Sequence, residues 1–284
     1  MDNNQLIPDI VSQLQNIKTI KAVVLGGSRA SNTHRSDSDI DLGIYYRDSE
    51  PLDVEQIKKL AYKINDNPSP IISEISEWGR WVNGGAWLTI RNQRVDLLYR
   101  NLDYVTQIIN DSTKGIIQQD FEQQPAYGFY SYTYCAEISI CKILYDPFSE
   151  IKQLKEKVRI YPHILKEKIV NRFLWDVQFT LEQCKKSASR SEVFIVAGCL
   201  TRIASDLVQV LYALNETYYL GEKRFYKDES KFNSKPTNLR ESLEALLSCA
   251  GNSYSKLEAS TNQAEQLFNE FVKISDNIYQ PKYS

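Results

Sequence analysis

Histidine is almost missing from this chain. The 284 residues include two, His34 and His163, so chemistry built on imidazole has few possible players. Net charge is nearly missing as well: 34 Lys and Arg face 36 Asp and Glu, leaving −2. Such a balance gives no overall field for nucleic acid or an anionic membrane, although a local basic cluster could still hold phosphate. The five cysteines, Cys135, Cys141, Cys184, Cys199 and Cys249, are odd in number and contain no Cys-x-x-Cys pair. This argues against a disulfide framework or a zinc site and for reduced thiols in a cytoplasmic protein. No apolar run reads as a bilayer span. The opening MDNNQLIPDI carries an acid where a signal peptide would be basic, so neither a targeting segment nor a membrane partner is expected. Internal repeats and low-complexity tracts are absent too.

What remains is the composition of an ordinary folded protein, 42% hydrophobic and 25% charged. Leu6, Ile10, Val11, Leu14 and Ile17 recur at helical spacing. KAVVLGG reads as a buried strand ending in a glycine turn, and SDIDLGIYY alternates: Ile40, Leu42, Ile44 and Tyr46 to one side, Asp39, Asp41, Gly43 and Tyr45 to the other. Asp53 and Gln56 form a capping box for a helix whose stripe is Ile57, Leu60, Ala61 and Ile64. PIISEIS is a third strand candidate, and WLTIR and RVDLLYR form a hairpin around Asn92-Gln93. Beyond residue 112 the pattern turns helical, with four long amphipathic segments and a lysine-rich connection, GEKRFYKDESKFNSKPTN. The fold class expected is α+β: residues 1–112 with a mixed sheet flanked by helices, then a helical bundle over 113–284.

The segment GGSRASNTHRSDSDIDLGIYY, 26–46, carries the chemistry. Aspartates at i and i+2 of a strand share a face, and without a counter-charge one would be driven to protonate. A divalent cation resolves that repulsion, and hard carboxylate oxygens suit Mg²⁺ held jointly with substrate phosphates. Gly27-Ser28, at the end of the preceding strand, offers backbone N–H groups and a hydroxyl to an anion such as a triphosphate. Asp96, a lone acid in an apolar strand, would bring a third carboxylate if its strand lies beside the Asp39/Asp41 strand. Three such acids suit two metals about 3.5–4 Å apart, the arrangement of in-line displacement at phosphorus. An EF-hand reading of DSDIDLG fails, because from Asp37 position 6 is Leu42 and position 12 is Asp48. Asp37 reads as a solvated bystander, while Arg29, His34 and Arg35 are near enough in sequence to approach a nucleotide. Glu77, ahead of WGRWVNGGAW, is a second candidate for the base that takes the acceptor's proton, beside Asp96 itself.

Gly27-Ser28, then Asp39-Ile40-Asp41, then Asp96 on a later strand resembles the nucleotidyltransferase superfamily related to DNA polymerase β. The helical second half is similar to that of bacterial aminoglycoside adenylyltransferases, with softer likeness at ILYDP (143–147), Asn215 and Lys223. The resemblance implies transfer of a nucleoside monophosphate, usually AMP from ATP, to a hydroxyl of a small-molecule acceptor, a class that includes antibiotics such as aminoglycosides. It implies Mg²⁺ on Asp39, Asp41 and Asp96, and phosphate contacts from Gly27, Ser28 and Arg29. Lys223 or Arg224 would reach over the triphosphate. DFEQQ or Glu137 would supply acidic walls for a cationic acceptor. The rival readings are a toxin-type enzyme acting on tRNA or protein, against which the near-neutral charge argues for RNA, and a non-enzymatic nucleotide-binding regulator.

Overall fold

The computed structural model describes residues 5–31, 35, 38–122, 127–248 and 250–283; His34 and Asp37 lie outside them. In chain order the elements are α1 (Leu6–Leu14), β1 (Ala22–Leu25), α2 (Gly27–Ala30), β2 (Ile40–Tyr46), α3 (Val54–Ile64), β3 (Ile71–Ile72), α4 (Gly79–Val82), β4 (Gly85–Ile90) and β5 (Gln93–Asn101). There follow α5 (Leu102–Thr113), β6 (Gln119–Asp120), β7 (Phe129–Tyr130), α6 (Thr133–Ile140), β8 (Lys142–Tyr145) and α7 (Glu150–Val158). The last are α8 (His163–Ser189), α9 (Val193–Leu214), α10 (Phe225–Glu229), α11 (Leu239–Ser248) and α12 (Tyr254–Ile274). The expected order holds: a mixed sheet flanked by helices, then a helical region.

Two compact units result, one of Met1–Asp111 with Gln118–Ile160 and one of Ser112–Ile117 with Tyr161–Ser284. Residues 118–160, read from sequence as part of the second domain, pack with the first. The reason is β8, which pairs antiparallel with β1 at the sheet edge and sets Lys142 opposite Leu25.

In the first unit the strand order is β3-β4-β5-β2-β1-β8. β2 and β5 run parallel, whereas β1–β2, β4–β5, β3–β4 and β1–β8 are antiparallel. The alternation read from SDIDLGIYY is observed: Ile40, Leu42, Ile44 and Tyr46 belong to the apolar core with Val95, Leu97 and Tyr99, together with Leu6, Ile10 and Leu14 of α1 and Ile57 and Ala61 of α3. Asp53 caps α3 by accepting the Gln56 N–H at 3.0 Å, but Gln56 Nε2 answers the Asp53 carboxylate at 2.6 Å rather than its backbone; the Asp53 N–H is taken by Thr19.

The hairpin turn falls one residue earlier than the sequence suggests. Arg91 and Asn92 occupy it with φ of +53° and +62°, closing on the Ile90–Gln93 pair, the backbone of a two-residue turn with both φ positive. Asp66 accepts the N–H groups of both turn residues, at 3.1 and 2.8 Å, and so holds an arginine where glycine is usual. Gln93 thereby becomes the first strand residue and is buried.

In the second unit α8, α9 and α12 pack together. The long helical pattern starting at Ile151 is broken at Tyr161-Pro162, where proline excludes the preceding residue from helix, so α7 ends before α8 begins. α9 is long and apolar enough by composition to cross a bilayer, contrary to the sequence expectation. Its apolar length has another cause: it is the helix on which α8, α11 and α12 pack. Among its buried residues is Asp206, which is 2% exposed. Burial pushes its carboxyl up to about 7, against the attraction of Arg202 at 3.6 Å and with the help of the Asp176 charge.

A carboxyl whose folded value is raised binds its proton more tightly folded than unfolded, so its contribution is present below pH ~4 and is lost as pH rises toward 7. Asp206→Asn should therefore gain on the wild type as pH rises from 4 to 7 and level off above, reaching about 2–4 kcal/mol at pH 8. Chemical denaturation across that range checks this, and a pH-independent difference would contradict it.

Candidate active site

The site is built on one rung of the sheet. Parallel pairing of β2 with β5 sets Asp41 in register with Asp96, and register partners on neighbouring strands present their side chains to the same face. Both lie on the face opposite the apolar core, and both are half-buried. The strand carrying Asp96 thus lies beside the one carrying Asp41, whereas Asp39, expected on the same strand as Asp41, falls just before it.

The turn after β1 meets Asp41 directly. The Gly26 N–H donates to the Asp41 carbonyl at 2.8 Å. Gly27 has φ +58°, and a methyl built on it would come within 1.8 Å of Asp41 Oδ2. Only glycine fits there, both for the backbone angle and for the room it leaves the carboxylate. Ser28 follows on α2, half-buried.

Asp39 precedes β2 and is positioned by its backbone. Arg29 Nε donates to the Asp39 carbonyl at 3.1 Å, and Arg29 Nη2 donates to the Ser38 carbonyl at 2.8 Å and to Gln93 Oε1 at 3.3 Å. Gln93 Nε2 donates to the same Ser38 carbonyl at 3.0 Å. Arg29 thus ties down the segment that carries Asp39. The Asp39 carboxylate stands 2.7 Å from Arg94 Nε. Its Oδ1 is sealed from solvent with no hydrogen bond, so this contact has the distance of an ion pair without hydrogen-bond geometry.

Hard oxygen donors in register, a carboxylate lodged against bare backbone and a sealed carboxylate oxygen without a hydrogen bond together fit a divalent cation. The three acids do not enclose an ion as they stand: among the described residues no group of three or more acidic, His or Cys side chains is close enough to do so. Asp39 and Asp96 both line a shallow cavity of about 420 Å³ with Arg94, Trp87, Thr89 and Ile71.

Other expected residues are placed elsewhere. Glu77 is exposed, accepts the Glu74 N–H at 2.7 Å and does not line that cavity. Glu137 meets Arg100 through two hydrogen bonds of 3.1 and 3.0 Å. Burial opposes the Arg100 charge, but Glu137 more than offsets it and holds the guanidinium protonated, so Glu137 is no free acidic wall. Asp120 accepts from the Trp81 indole at 3.2 Å. Lys223 is exposed in a short 3₁₀ turn, Glu222–Arg224, of the second unit, and Arg224 is held by Asp228 at 3.1 Å. Asn215 staples the following loop, accepting from the Asn233 and Ser234 backbones and donating to the Ser234 carbonyl.

Two residues went unread. Lys142, opposite Leu25 on β8, donates to the Arg29 carbonyl at 3.3 Å and so puts a cation beside the Gly27-Ser28 turn. ILYDP marks the neighbourhood, but only the β1–β8 pairing shows where it goes. Trp87 is the register partner of Asp96 on β4.

Gly27→Ala should cost about 1–3 kcal/mol of stability, through the clash with Asp41 and the positive φ. Gly26→Ala should cost less, because its added methyl meets nothing nearer than 3.7 Å. Thermal melts of the two variants compare them, and equal losses would contradict the packing of Asp41 on Gly27.

Residues 131–224 match a domain of unknown function, DUF4037. No curated protein matches the chain. A solved nucleotidyltransferase-like protein from Exiguobacterium sibiricum 255-15 aligns over 98% of this chain and 78% of its own, at 10% identity and a TM-score of 0.48. Residues 5–122, which hold the glycine turn and all three acids, match the family described as Nucleotidyltransferase domain.

Proposed function

We propose that the first unit transfers a nucleoside monophosphate, AMP from ATP, to a hydroxyl of a small-molecule acceptor, the broad class that includes the aminoglycoside antibiotics. The observation that carries this reading is the rung Asp41–Asp96 beside a turn where only the missing side chain of Gly27 leaves room for the Asp41 carboxylate. Nucleotidyl transfer needs carboxylates next to a phosphate-binding backbone, and this rung supplies both.

In this reading Gly27 and Ser28 hold the β- and γ-phosphates, with Lys142 near enough to offset their charge. Asp41 and Asp96, with Asp39 at the mouth, would hold Mg²⁺, which supplies charge neutralisation at the phosphates and lowers the barrier to displacement. Asp96 accepts the proton of the acceptor hydroxyl. The acceptor oxygen bonds to the α-phosphorus, the bond from that phosphorus to the bridging oxygen breaks, and pyrophosphate leaves toward the Gly27-Ser28 turn. Arg29 and Gln93 act at one remove, by fixing the Ser38–Asp39 backbone.

Pyrophosphate release from Mg²⁺-ATP with a panel of hydroxyl acceptors tests the proposal. Asp41→Asn and Asp96→Asn should each lower the rate by about a hundredfold or more, while Glu77→Gln should leave it near wild type. Turnover that survives both aspartate variants would rule the reading out. Nucleotide titration tests Lys142: Lys142→Ala should weaken ATP binding several-fold, and an unchanged affinity would remove Lys142 from the phosphate site.

A further inference from the structure

The rung that holds the acids continues across the sheet. Ile71 on β3 pairs with Trp87 on β4, Trp87 with Asp96 on β5, and Asp96 with Asp41 on β2, whose carbonyl accepts the Gly26 N–H. Along this row the chemistry changes from phosphate-binding backbone through two carboxylates to an apolar end. That end is open: Trp87 is 50% exposed and Ile71 56%. An indole standing half in water beside a half-buried aspartate gains nothing for the core, which lies on the other face.

Trp87 is nevertheless held in place. Its ring lies on Trp78, with centroids 4.8 Å apart and planes 31° apart. Trp78 in turn covers Gly85, where a methyl would come within 2.8 Å of its ring and 2.1 Å of the Leu97 carbonyl. On the next strand but one, the Tyr45 ring lies over Gly43 in the same manner, 3.3 Å from where a methyl would stand. The face behind the acids is thus filled by rings lying over glycines. The face beyond Asp96 presents an indole, pre-positioned and uncovered.

Displacement at phosphorus puts the attacking and leaving oxygens on opposite sides. With pyrophosphate leaving toward Gly27 and Ser28, the acceptor enters from beyond Asp96, over Trp87 and Ile71. We infer that Trp87, backed by Trp78 and flanked by Ile71, is the platform for a flat apolar ring of the acceptor, which narrows the proposed hydroxyl acceptors to compounds bearing an aromatic ring and sets aside open-chain polyols, bare sugars and the aminoglycosides, which carry none. The inference rests on the nucleotidyl-transfer reading for its direction. The cavity of about 420 Å³ lined by Asp39, Asp96, Trp87 and Ile71 has room for such a ring with its hydroxyl-bearing substituent. Trp87 is on this account a specificity-determining residue: it sets which acceptor lies down, and Asp96 takes the proton.

Phenyl β-D-glucoside and methyl β-D-glucoside differ in the ring alone and serve as probes. Each is titrated by calorimetry into the full chain loaded with Mg²⁺ and a non-hydrolysable ATP analogue, whose own binding is measured first. The phenyl compound should bind about tenfold more tightly or better. Trp87→Ala should erase that preference and Trp87→Phe retain most of it, both with the wild-type affinity for the ATP analogue. Equal binding of the two glucosides, binding of neither, or an undiminished preference in Trp87→Ala overturns the platform. Failure of the ATP analogue to bind the wild type is read separately: it overturns the nucleotidyl-transfer reading and removes with it the direction from which an acceptor would come.

Discussion

The parallel pairing of β2 with β5 is the constraint on which the candidate site depends. It places two carboxylates side by side on one rung, an arrangement that their mutual repulsion opposes. The register is held from the other face. Ile40 pairs with Val95, Leu42 with Leu97 and Ile44 with Tyr99, and all six are 2% exposed or less. A slip of one residue would turn those side chains out to water and the aspartates into the core, a loss far larger than the repulsion between two partly solvated acids. Burial on the core face thus keeps two carboxylates side by side on the reactive face, the arrangement that a cation and a phosphate chain would use.

Around that rung most other features are positional. Gly26 and Gly27 let the end of β1 close on Asp41 without a side chain between them. Arg29 and Gln93 bind the Ser38 and Asp39 carbonyls, so the charge nearest the turn is consumed in shaping the segment. Arg94 balances Asp39 from the exposed side. Each of these acts on where an aspartate stands rather than on a reacting atom.

Much of this could be read from residues alone because it is local. The alternation of β2, the glycine turn and the helix stripe of α3 are written at intervals of a few residues. The pairing of β5 beside β2 was anticipated only through the family's motif order, and the pairing of β8 with β1 was not legible at all. β8 is a four-residue strand that returns to the edge of β1 after more than a hundred residues, and nothing in Lys142 itself announces a place beside Gly27. The hairpin illustrates how a small error spreads. A turn at Asn92-Gln93 would have set Thr89 opposite Asp96, whereas the observed turn at Arg91-Asn92 sets Trp87 there. The displaced turn is stabilised by Asp66, more than twenty residues upstream, so the hairpin sequence alone could not reveal it. Glu137 looked available for the same reason: its partner Arg100 is distant in sequence and buried.

The two units divide the problem. The second is a helical assembly whose buried Asp206 and long apolar α9 reflect the packing of α8, α11 and α12 around one helix. The first holds the rung, and the account stands or falls on what occupies it. Crystals grown with Mn²⁺ and a non-hydrolysable ATP analogue, with data collected to locate manganese by its anomalous scattering, test this most directly. The account predicts manganese in contact with the carboxylates of Asp41 and Asp96, with the phosphate chain running to Gly27 and Ser28. Manganese and nucleotide bound together away from Asp41 and Asp96 would contradict it.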